Sequence, residues 1–222
     1  MKRLIPSFAY FSVAVIFIVF RNGIPGIILK ALIMPLLALV LVTGKVGGWK
    51  KSDILILLAL FFSWAGDVLL EVPASVADLF IPGLVSFLLA HVMYLIVFFS
   101  TPVENIVLKK KTWLLIPVVL YGWILLILMF ESLGQMKIPV TVYTVVILTM
   151  VTGALCRLGR VSRRSWITVL SGAVLFLLSD TGIAINKFLH PIPASSVLIM
   201  STYVLGQYLI ITGYLNGQVN ND

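Results

Sequence analysis

Apolar positions in this chain neither alternate nor recur on one helical face; they come in long, charge-poor runs. These cover roughly 4–20, 24–43, 54–71, 79–100, 113–130, 138–156, 166–188 and 194–215. A helix needs about 20 apolar residues to cross the hydrocarbon core of a bilayer, and runs of this size suit that purpose better than any soluble element. Most are bounded by charges or by Gly and Pro. The breaks at Gly23-Ile24-Pro25 and His190-Pro191-Ile192-Pro193 are required because the runs beside them are too long for one crossing. The pattern predicts an all-α, polytopic membrane helix bundle with eight transmembrane helices, forming one transmembrane domain over residues 1–222. The first run follows Lys2-Arg3, as a signal peptide would. Val19-Phe20-Arg21-Asn22 lacks the small residues of a cleavage site, so a retained first helix is expected.

Composition sharpens this picture. Of 222 residues, 61% are hydrophobic and 11% charged, against about 25% charged in a soluble domain. Mean hydropathy is +1.14. A soluble globule, a disordered chain and a nucleic-acid-binding module are excluded. The single cysteine, Cys156, rules out an intrachain disulfide and a Cys-rich metal site.

The net charge of +8 is read from its distribution. With eight crossings, 12 basic residues fall on the side of the termini: Lys2, Arg3, Lys45, Lys50, Lys51, Lys109, Lys110, Lys111, Arg157, Arg160, Arg163 and Arg164. Four, Arg21, Lys30, Lys137 and Lys187, fall on the other. The positive-inside rule then puts both termini in the cytoplasm, as in a multi-pass protein of the cell (inner) membrane. The other reading of these charges is an anion site in the Arg157–Arg164 loop.

Carboxylates inside a membrane are costly and mark function by default. Asp67 lies 13 residues beyond Ile54 and Asp180 lies 14 beyond Trp166, so the helical rise sets them about 20 and 21 Å from the cytoplasmic ends. Acids at one level on two helices are able to face each other. Other polar groups fall near that level. His91 and Tyr94 share a face at i, i+3, and Tyr203 and Gln207 do so at i, i+4. Lys30 lies about 9 Å from the outer start of the second run. Glu71 and Asn186 lie just beyond the two aspartates.

Each has a plainer alternative. Lys30 either snorkels to headgroups or binds a phosphate. His91 is either a core histidine or part of the site. Tyr94 and Tyr203 suit packing, and Glu71 and Asn186 suit helix ends. Ser63, Gly66, Ser171, Gly172 and Gly182 let helices approach closely, and Gly66 beside Asp67 also leaves space for a substrate. The stretches 61–67 and 174–180 end alike, each on an aspartate, which raises a weak repeat of helices 1–4 and 5–8. The chain has no H-E-x-x-H, G-x-S-x-G or P-loop motif, and no metal is expected.

Gly66-Asp67-Val68-Leu69-Leu70, followed by Phe80, Gly83, Phe87, His91 and Tyr94, resembles the signature of the YhhN-like membrane proteins, the lysoplasmalogenases. Phe176-Leu177-Leu178-Ser179-Asp180 is similar to that family's second acidic motif, and Tyr203-Val204-Leu205-Gly206-Gln207 to its last-helix motif. The resemblance covers helices 2 to 8. It implies eight membrane helices, catalysis by Asp67 and Asp180 without a cofactor, and hydrolysis of the vinyl ether bond of lysoplasmalogens. The substrate would be lysoplasmenylethanolamine or lysoplasmenylcholine among membrane lipid, and the products a fatty aldehyde and glycerophosphoethanolamine or glycerophosphocholine. The family pairs its second-helix Lys with a following Pro. Here Lys30 precedes Ala31, and Pro35 comes later.

The residues suit that chemistry on independent grounds. A vinyl ether resists nucleophiles but yields to acid: protonation of the carbon beta to oxygen gives an oxocarbenium ion, which water attacks. Two carboxyls sharing one proton out of water provide an acid and a base, the division of labour that glycosidases use. Lys30, His91, Tyr94, Tyr203, Gln207 and Asn186 are the candidates for substrate binding. The rival expectation is a proton-coupled transporter using the same acids.

Overall fold

The computed structural model describes residues 3–20, 24–73, 75–100 and 112–218. Lys2, Arg21, Lys109, Lys110 and Lys111, part of the orientation argument, lie outside the described residues. The helices are α1 (Leu4–Val19), α2 (Ile24–Gly44), α3 (Lys51–Glu71), α4 (Phe80–Phe99), α5 (Ile116–Met129), α6 (Lys137–Cys156), α7 (Arg163–Phe188) and α8 (Ser195–Gln218), with 3-10 turns at Thr112–Leu115 and Gly134–Met136 leading into α5 and α6. No strand occurs among the described residues.

Seven of these segments, all but α1 and with the 3-10 turns counted into α5 and α6, are long and apolar enough to cross a membrane. The protein is therefore a multi-pass integral membrane protein. α1 is equally apolar but has 16 residues, about 24 Å of helix against a core of about 30 Å.

Both aspartate-bearing helices start three residues earlier than their apolar runs. Each charged first turn has its own cap. In α3, the Asp53 carboxylate accepts the Lys50 backbone N–H at 2.7 Å and pairs with the Lys45 ammonium at 2.8 Å, with both side chains buried. In α7, the Ser162 side chain accepts the Ser165 N–H. An apolar-run reading misses such turns because capping groups are polar.

The chain forms two compact units, Met1–Val97 and Phe98–Asp222. In the first, α2 and α3 form a hairpin closed by the Lys45–Asp53 pair across a turn in which Gly47 takes φ +74°, a conformation open to glycine. The Trp64 indole of α3 donates to the Ala31 carbonyl of α2. α4 packs on α3: Ser86 Oγ donates to the Phe62 carbonyl, and a Cβ on Gly66 would lie 2.6 Å from the Phe87 ring. Gly66 thus makes room for Phe87, which corrects the expectation that it leaves space for a substrate.

In the second unit, α7 and α8 meet backbone to backbone. A Cβ on Gly172 would lie 2.6 Å from the Gly206 carbonyl oxygen, and one on Gly206 would lie 2.9 Å from that of Gly172. Small residues are what allow helices to pack this closely in lipid. Gly182 accommodates Ile199 in the same way, whereas Ser171, expected at such a contact, is exposed. Arg157, counted above among the loop charges, is only 3% exposed. Its Nη2 donates to Ser165 Oγ at 3.2 Å, which in turn donates to the Gly213 carbonyl at 2.6 Å. Its guanidinium lies over the Phe98 ring. Burial pushes its pKa down to about 10, so it is still cationic at neutral pH. It braces helix ends together.

Candidate active site

In the first unit, Asp67 lies sixteen residues into α3 and is 3% exposed. Glu71 follows one turn later as the last residue of α3. Facing them from α2, the Lys30 ammonium sits 2.8 Å from Glu71 Oε2 and 3.9 Å from Asp67 Oδ1. The Lys30 side chain is 12% exposed, with its ammonium 5.9 Å from the centre of the Phe17 ring of α1. A buried acid one turn away and a second acid at the rim hold the ammonium inside, because a charge this poorly hydrated needs a partner. Glu71 is likewise more than an ordinary helix end. On α4, His91 and Tyr94 are fully buried.

In the second unit, Asp180 lies seventeen residues into α7. Its Oδ2 accepts a 2.6 Å hydrogen bond from the Tyr143 hydroxyl of α6, a length typical of an O–H group donating to an ionised acceptor. The next residue, Thr181, shares a 2.8 Å hydrogen bond with the Tyr121 hydroxyl of α5. Gln207 and Tyr203 of α8 are buried, and the Tyr203 ring meets Phe176 of α7 edge-on. Asn186 is exposed, and its side-chain oxygen accepts the Ile192 N–H, closing the turn between α7 and α8.

The structure thus brings Lys30, Asp67 and Glu71 together and gives Asp180 a partner that sequence reasoning missed. The signal was available. Tyr143 lies six residues after the start of α6, and Asp180 eight before the end of α7. On antiparallel neighbours those positions are nearly level. No group of three or more His, Cys, Asp or Glu residues suited to a metal occurs among the described residues.

An all-helical membrane protein with an embedded, hydrogen-bonded or ion-paired acid in each compact unit belongs to the class that does chemistry or transport within the bilayer. Comparison narrows the class: residues 26–214 match the YhhN family, and the chain belongs to that family. It is 31% identical to lysoplasmalogenase TMEM86B of Sus scrofa over 185 residues, covering 83% of this chain and 73% of the relative. It is 32% identical to human lysoplasmalogenase TMEM86B, covering 72% of this chain and 63% of that protein. A lysoplasmalogenase of Mycobacterium bovis is 31% identical, covering 85% of this chain and 70% of the relative. No solved structure matches the chain.

Proposed function

We propose that this chain is a lysoplasmalogenase, an intramembrane hydrolase that cleaves the vinyl ether of a lysoplasmalogen to a fatty aldehyde and glycerophosphoethanolamine or glycerophosphocholine. The observation that carries the reading is Asp67, a carboxylate buried far along a membrane helix in a chain whose relatives bear that enzyme's name. Asp67 and Asp180 share the acid and base work. One carboxyl delivers a proton to the carbon beta to the ether oxygen. The other, ionised, stabilises the oxocarbenium ion and takes a proton from the water that adds to it. The hemiacetal then breaks its C–O bond to the glycerol, giving aldehyde and alcohol, with one water consumed. General acid–base assistance of this kind is worth about 10²–10⁴ in rate. Neither role is fixed to one residue.

Lys30 holds Glu71 and Asp67 in place and has ammonium protons left for a lipid phosphate. His91 and Tyr94 in the first unit, and Tyr203 and Gln207 in the second, are assigned to substrate binding. α1 completes eight crossings, with both termini cytoplasmic in a cell (inner) membrane. The family match and the relatives' names give no support to the proton-coupled transporter.

The test is mass spectrometry of lysoplasmenylethanolamine incubated with purified protein. Asp67→Asn and Asp180→Asn should each abolish aldehyde release while the protein stays folded and inserted. Full activity in either variant would falsify the assignment.

A further inference from the structure

We propose that an apolar groove between α2 and α3 receives the hydrocarbon chain of the lysolipid substrate and sets the chain length the enzyme prefers. The inference rests on the reading of Asp67 given above. The groove has a volume of about 180 Å³, with Met34, Pro35 and Ala38 on one wall and Leu57, Phe61 and Trp64 on the other. It exists because Ala38 is small and because Trp64 is tethered to the Ala31 carbonyl, which stands its indole at one end. That tether uses the one polar side-chain group in the lining, so the groove presents an almost wholly apolar surface to an occupant. From Leu57 to Trp64 it runs about 10 Å along α3.

Its position commits it to a lipid chain. Lys30 lies one turn before Met34 on α2, and Asp67 lies three residues after Trp64 on α3. The groove therefore starts within a turn of the ion cluster and leads away from it. Glu71 ends α3 at the rim, Asp67 is one turn deeper, and the groove lies deeper still. A lysolipid has the same order: zwitterionic headgroup, then the ether bond, then hydrocarbon. Laid along α3, its headgroup meets the Lys30–Glu71 pair, its vinyl ether comes level with Asp67, and its chain enters the groove. Phe61 and Pro35 are exposed, so the slot is open along its side to a chain arriving from the bilayer.

Full-length protein is irradiated with a lysolipid that has a saturated ether link and a diazirine midway along its chain, and labelled residues are mapped by mass spectrometry. The result expected is label concentrated on Met34, Pro35, Ala38, Leu57, Phe61 and Trp64. Label spread evenly over exposed apolar positions such as Trp123 and Leu128 overturns the inference. In parallel, Ala38→Phe fills the slot and should raise KM for long-chain relative to short-chain alkenyl substrates. Leu39→Phe, on the exposed neighbouring face, should leave the chain-length profile unchanged. If Ala38→Phe does not fold, Phe61→Ala widens the slot and should shift the preference the opposite way. Labelling of the groove without aldehyde release sinks the proposed reaction and leaves the groove standing. Aldehyde release with no concentrated label, or with an unaltered chain-length profile in a folded groove variant, sinks the groove alone.

Discussion

The indole nitrogen of Trp64 donates to the Ala31 carbonyl at 2.9 Å, and Ala31 is the residue whose helical partner would be the N–H of residue 35. That residue is Pro35, which has none. In hydrocarbon no water replaces the lost donor. The neighbouring helix supplies one, fixing the register of α2 against α3 and hence the distance from Lys30 to the two acids.

This arrangement predicts a thermodynamic cycle. Trp64→Phe should destabilise the protein by about 1–3 kcal/mol, the cost of an unsatisfied buried carbonyl. In a Pro35→Ala background the backbone N–H returns, and the same Trp64→Phe change should cost clearly less. Thermal unfolding of the four proteins in detergent measures the coupling; equal costs in both backgrounds would refute it.

Tyr143→Phe removes the hydrogen bond to Asp180 without adding bulk. If that bond orients a catalytic carboxyl, kcat should fall about 10–100-fold, matching the ~1.5–3 kcal/mol of a hydrogen bond to a charged group. The melting temperature should move far less than for a core truncation. Aldehyde-release kinetics at saturating substrate decide the point, and an unchanged kcat removes Tyr143 from the site.

The Lys45–Asp53 pair should behave as a buried ion pair. Removing one partner, as in Asp53→Leu, strands the other charge and should cost about 3–5 kcal/mol. Lys45→Met combined with Asp53→Leu should recover the greater part. Additive losses in chemical or thermal unfolding would show that the two side chains act separately.

Gly206→Ala places a methyl group against the Gly172 carbonyl and the Phe176 nitrogen. Backbone atoms cannot turn aside as a flexible side chain does, so α7 and α8 must separate, at about 1–3 kcal/mol. Gly48→Ala, at a position where an added Cβ meets nothing within 4 Å, is the control. Equal stability of the two variants would contradict the close approach.

Much of this was legible beforehand. The span limits agree with the helices to within a few residues because apolar run length is a direct demand of the bilayer. The errors follow from what a hydropathy reading cannot register. It starts α3 and α7 late because their first turns are polar and capped. It treats Lys30 as an isolated charge because its partners lie 37 and 41 positions away in sequence. Arg157 looks like a loop cation because its burial depends on α7 and α8 closing over it. Tyr143 was overlooked because an aromatic residue in an apolar run looks like packing until an acid is found at its level.

The seam between α7 and α8 also limits how this molecule can change shape. Helices locked main chain against main chain cannot slide or rotate past each other without a collision, so Asp180 is carried on a stiff two-helix plank. Any breathing that admits a lipid has to happen at looser boundaries.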